Sequence, residues 1–133
     1  MDNQNLAYAI TQIVHNFGAV AVVGGAACAL ARSDVETQRR LALLVLIGWL
    51  TQALSGAAFG AISYYYYAKF PDIHGIAVAA LIVKVVCAAL GFTLSAWQLL
   101  SHLSEVSRRY SWLALCSLGI LALCSAAVLR WFS

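Results

Sequence analysis

What this chain can fold into is decided by four long apolar stretches, residues 6–31, 41–66, 74–100 and 111–129, separated only by short polar connections. Each is close to or beyond the roughly 20 residues that carry a helix across a ~30 Å hydrocarbon layer. In lipid every backbone N–H and C=O must be paired within its own segment, so helices are the reading consistent with those lengths. With 63% hydrophobic and 10% charged residues over 133 positions, the chain holds more apolar surface than one water-soluble core of its size can bury. The expectation is an all-α integral membrane protein, a single transmembrane domain over 1–133 built as a four-transmembrane-helix bundle. The single proline, Pro71, falls in a connection.

The basic residues set an expected orientation. Arg32, Arg39 and Arg40 lie in the first connection and Arg108 and Arg109 in the third, against Lys69 and Arg130 on the other side. By the positive-inside rule the N-terminus and the C-terminus both face outside, which places the chain as a multi-pass protein of a bacterial inner (plasma) membrane. The acidic start "MDNQN" agrees. A cleaved signal peptide is not expected, because no basic n-region precedes a first apolar run of 26 residues. Those same loop arginines account for the net charge of +3, and no basic patch is interleaved with aromatics, so no nucleic acid partner is expected.

Connections such as "RSDVETQRR" are too short to fold as a further domain, which confines any chemistry to the bilayer, its surface or a partner chain. Tyrosines 64 to 67 and Trp131 suit a headgroup belt. Cys28, Cys87, Cys116 and Cys124 fall inside predicted helices without a CxxC or a Cys/His metal spacing, and read as core packing.

The polar residues inside the apolar stretches are ordered. His74, Ala77, Leu81, Lys84, Ala88, Gly91, Ser95, Gln98 and His102 follow steps of three and four, which places them on one stripe of the third helix. Tyr8, Gln12, His15, Ala19, Val22 and Ala26 make a similar stripe on the first helix. At a rise of 1.5 Å per residue, His15 and Lys84 are each expected about 5 Å to the outer side of the bilayer centre, level with one another.

Lys84 is the residue that most needs explaining. A lysine at this depth costs several kcal/mol unless paired or deprotonated, and the apolar stretches contain no aspartate or glutamate. A bound anion, naturally a carboxylate-bearing cofactor, would compensate it; the alternative is a neutral amine bonded to Gln52, Tyr8 or a backbone carbonyl. For His15 the plain reading is an interhelical hydrogen bond to Gln52 or Asn16. A neutral imidazole among small residues is also an axial ligand for haem iron, with Gly18, Ala19, Gly24, Gly25, Gly48, Gly56 and Gly60 leaving room for a flat ring. The "GAAFG" spacing, Gly56 to Gly60, has a second reading as close helix packing. His74 is expected about 15 Å above His15, too far to share one iron, and His102 lies near the opposite face.

A first helix with a histidine followed by "GAVAVVGG", and a third carrying "IVKVV", resembles the CopD-like copper-resistance membrane proteins and the related HemJ-type protoporphyrinogen oxidases. The resemblance spans the four helices. It implies copper uptake in one branch and haem b with porphyrin oxidation in the other, with His15 standing at the family's first-helix histidine and Lys84 at its third-helix lysine. Copper is disfavoured by the residues themselves, since the only methionine is Met1 and three scattered histidines form no site.

The sequence therefore leads to the expectation of a haem b or porphyrin-binding membrane protein acting in electron transfer or porphyrin oxidation. His15 would ligate iron, Lys84 would neutralise a propionate, Gln52 would orient one of them, and Tyr8 and Gln12 complete the candidate cofactor-binding set. The reading from another class is a non-catalytic accessory or assembly subunit of a larger membrane complex. A proton-coupled transporter is weakened by the missing carboxylates. Small residues on outward faces suit a homo-oligomer or a partner subunit.

Overall fold

The computed structural model describes residues 3–132, and the described chain is four helices: α1 (Asn3–Leu30), α2 (Val35–Tyr67), α3 (Ile76–Leu100) and α4 (Glu105–Phe132). All four are long and apolar enough to cross a membrane. Helix α1 packs on α2 and α4, and α3 on α2 and α4, while the diagonal pairs make no close backbone approach among the described residues. Short connections between neighbours give an up-down-up-down bundle, so Asn3 and Phe132 lie at one end of it and Arg32, Arg39, Arg40, Arg108 and Arg109 at the other. Outward-facing side chains are large and apolar, with Phe17 72% and Val20 68% exposed, a surface suited to lipid contact.

Helices α2 and α4 begin at 35 and 105, not at 41 and 111 where their apolar runs begin. Local capping extends them. The Asp34 carboxylate accepts from the Thr37 N–H at 3.0 Å, and Glu36 meets Arg40 at 3.1 Å one turn on. Hydrogen bonding from Thr37, by its side chain and then its backbone, holds the Asp34 carboxyl below the usual aspartate value. On α4 the Ser104 hydroxyl accepts from the Ser107 N–H at 3.3 Å. In the α1–α2 turn, Gln38 is buried and its amide donates to the carbonyls of Ala29 at 3.0 Å and Arg32 at 2.6 Å, satisfying groups that the end of α1 leaves open.

Helix α2 stops at Ala68, which turns left-handed with φ 53° and donates its N–H to the Tyr64 carbonyl at 2.9 Å. Gly75, at φ 53° and ψ −117°, takes a conformation that a side chain disfavours, and it starts α3 at Ile76. His74 consequently lies in the connection, 3.3 Å from Asp72, and His102 lies beyond the end of α3.

The core is lopsided. Towards the arginine end it is filled by Trp49, Trp112, Leu115, Val45 and Val22, all nearly inaccessible. Towards the end that bears the termini the buried residues are small: Ser55, Ser63, Ala77, Ala80, Ala122 and Ser125, with none on α1 before Gly18. Glycines make the dense half possible. A Cβ on Gly91 would fall on the indole of Trp49, and one on Gly119 would meet Val22 and Val23 at 3.0 Å. Of the cysteines expected in the core only Cys87 is buried; Cys28 and Cys124 face outward and Cys116 is half-buried. Nor does "GAAFG" pack helices: nothing lies within 4 Å of a Cβ on Gly56, and only Phe70, at 3.9 Å, approaches Gly60.

Candidate functional site

His15 and Lys84 are the one histidine and one lysine that lie inside helices, and their side chains meet. Lys84 Nζ is 3.0 Å from His15 Nε2, and His15 Nδ1 is 2.7 Å from the Ser55 hydroxyl. The contact joins α1 to α3 across the diagonal of the bundle, where the backbones are too far apart to touch and only a long side chain can reach. Ser55 in turn donates to the Thr51 carbonyl one turn back. With its proton used there, Ser55 Oγ accepts from His15 Nδ1–H, and the lone pair on Nε2 accepts from Lys84. A continuous hydrogen-bonded line thus runs from Lys84 through His15 and Ser55 to the backbone of α2.

Gln52 reaches the same place differently. Its amide donates to the main-chain carbonyl of His15, not to the ring, and so ties α1 to α2 at this level. Thr51 and Gln52 also fill the space beside Gly18, where a Cβ would stand 3.0 to 3.2 Å from them. Likewise Gly25 and Gly48 face close neighbours, while Gly24 has nothing within 4 Å. The expected ring-sized slot at these glycines is therefore absent: on the inner face they are consumed by helix contact, and Gly24 and Gly56 open outward. The buried core residues of this half are small, and His15 and Lys84 are both half-buried.

Of the remaining candidates, Tyr8 is connected through a residue the sequence did not single out. Phe59 lies edge-on to the His15 ring at 5.8 Å between centroids and stacks on Tyr8 at 6.2 Å. Gln12 does not join the group; it is exposed and bonds Asn16 at 2.7 Å, so Asn16 is not the partner of the His15 ring. Gly48, Gln52, Ser55 and Phe59 are spaced by three and four, so one stripe of α2 was the available signal for Ser55 and Phe59.

Chemically the cluster offers one imidazole, one amine, a hydroxyl and two aromatic faces. Among the described residues no group of three or more His, Cys, Asp or Glu could hold a metal ion by itself. As a donor set it suits a cofactor that brings its own metal and its own negative charge: His15 could serve as a single axial ligand, and Lys84 as the cation for a carboxylate. In the arrangement seen here both ring nitrogens of His15 are engaged, so iron ligation through Nε2 requires Lys84 to withdraw. In comparisons with known protein families, curated proteins and solved structures, none matches this chain.

Proposed function

We propose that this chain is a small integral membrane protein that binds haem b or a related porphyrin in the half of the bundle nearer its termini, and serves electron transfer or porphyrin oxidation. The observation that supports it is the 3.0 Å meeting of His15 and Lys84 in the half of the core whose buried residues are small. A half-buried amine at this depth without an acidic partner is expensive, and a propionate would compensate it. The resemblance to CopD-like and HemJ-type proteins is what points to a porphyrin over another anion.

When bound, haem supplies one-electron chemistry that no side chain here can. His15 would hold the iron, Lys84 would neutralise a ring carboxylate, and Gln52 would keep α1 seated on α2 through the His15 carbonyl. Phe59 and Tyr8 offer apolar faces beside the ring, and Gln12 would serve at the rim. With the arginines facing inward, the chain is a multi-pass protein of a bacterial inner membrane, both termini outside. Outward-facing Gly24 and Gly56 suit self-association or a partner subunit.

A second reading, a non-catalytic accessory subunit of a larger complex, is favoured by the completeness of the bridge: both nitrogens of His15 are satisfied without any ligand. An optical spectrum of the full chain purified in mild detergent separates the two. Haem binding gives a Soret band with reduced-form α and β bands, abolished or shifted in His15→Ala and retained in His102→Ala. A colourless preparation from cells supplied with haem overturns the haem proposal and leaves the bridge as an interhelical lock.

A further inference from the structure

At the arginine end, far from His15, the starts of α2 and α4 and the end of α3 enclose a cavity of about 470 Å³ lined by Gln38, Arg39, Gln98, His102 and Arg108, with Leu99 among its apolar walls. Arg39 and Arg108 have no acidic partner among the described residues. The acidic side chain that also reaches the cavity, Glu36, is paired with Arg40. Two of the lining residues, Gln98 and Gln38, each carry a buried amide atom without a hydrogen-bond partner, Nε2 and Oε1 respectively. Gln38 is only 8% exposed, and its own amide nitrogen is fully used by the carbonyls of Ala29 and Arg32, so its free oxygen is fixed in place.

We propose that this cavity binds a phosphodiester or phosphate-ester anion, as in the glycerol headgroup of an anionic phospholipid. Two unpaired guanidinium groups on the lining fit phosphate oxygens, which accept only. The placement also fits: basic pockets between helices at the inner interface are where lipid headgroups lie. None of these residues takes part in the His15–Lys84 bridge, so this site stands or falls apart from the porphyrin proposal.

The test uses the full chain in a neutral detergent, with bound lipid counted by native mass spectrometry and helicity followed in parallel. Phosphatidylglycerol should be retained over phosphatidylcholine of the same acyl chains. Each arginine changed to glutamine should weaken retention about fivefold, so that Arg39→Gln with Arg108→Gln loses about 25-fold, while Arg130→Gln at the opposite end changes nothing. A parallel arm with glycerol 3-phosphate and with inorganic phosphate in the aqueous phase separates the sources: retention of glycerol 3-phosphate without lipid assigns the same site to a soluble ester. Equal retention of the two lipids, with no uptake of either aqueous anion, overturns the proposal, as does a folded double variant that retains phosphatidylglycerol like the parent chain. If the double variant loses its helicity, the single variant Arg39→Gln, at an exposed position, decides: weaker retention supports the site, and unchanged retention overturns it.

Discussion

Replacing Lys84 with methionine separates what the His15–Lys84 bridge does for stability from what it does for function, because the two effects should differ in sign. Lys84 is four residues from Ala88, the midpoint of α3, which puts it about 6 Å from the centre of the helix. A lysine at a helix centre costs about 2.5–3.5 kcal/mol on insertion scales, and about 2 kcal/mol is reasonable at this offset in a half-buried position. Against that stands one hydrogen bond, to His15, and interhelical hydrogen bonds in membrane proteins contribute on average about 0.6 and at most about 1.7 kcal/mol. Methionine keeps the length and apolar packing of the lysine stem. Lys84→Met should therefore stabilise the bundle, by about 0.3–1.4 kcal/mol, while reducing porphyrin retention. Unfolding followed by helicity in mixed micelles measures the first, and the Soret absorbance per chain measures the second. A loss of 1 kcal/mol or more in stability would refute the reasoning, since the bridge would then be what holds α1 against α3.

Three further outcomes are expected. Gly91→Ala drives a methyl into the Trp49 indole and should cost about 1–3 kcal/mol in the same unfolding assay, with most of that loss recovered when Trp49→Leu is added; additive losses would show that the two residues are not in contact. A cysteine at Ser33 should be shielded from a membrane-impermeant thiol reagent in intact cells while one at Asn5 labels, each measured in a background without the native cysteines, and the reverse pattern would invert the orientation. Because hydrogen bonds to the Asp34 carboxylate depress its pKa, their contribution is complete above the usual aspartate value and is lost as pH falls through the lower, folded-state value; protection of the Thr37 amide, taken relative to its intrinsic exchange rate at each pH, should fall on that acidification in the parent chain and be low at all pH in Asp34→Ala.

The four helices were legible because crossing lipid demands length and hydropathy, and both are written directly in the sequence. The starts of α2 and α4 were not, because hydropathy reports contact with lipid and not the end of a helix. Asp34 and Ser104 carry the capping signals beyond the apolar layer. The level placement of His15 with Lys84 followed from the rise of a helix alone. Their partners did not, since helix rotation is set by packing: the ring turned to Ser55, and Gln52 took the backbone carbonyl. The glycines show the same limit. Gly18 and Gly24 are equivalent in composition and six residues apart, yet one is pressed against Thr51 and the other has nothing near it.

The lopsided core gives a reason for the position of the site. Val22, Val45, Trp49, Trp112 and Leu115 form a dense contact that involves α1, α2 and α4, and Trp49 seats against Gly91 of α3, so all four helices are joined in the arginine half. Dense packing there relieves the other half of that task. Serines and alanines suffice on its inner faces, and a polar line can cross it at small cost in apolar contact. The His15–Lys84 contact bridges α1 and α3, yet the bundle does not depend on it to close, because each of those helices packs along α2 and α4. A ligand that takes either side chain therefore opens a diagonal without dismantling the fold, an arrangement suited to exchanging an internal hydrogen bond for a bound group.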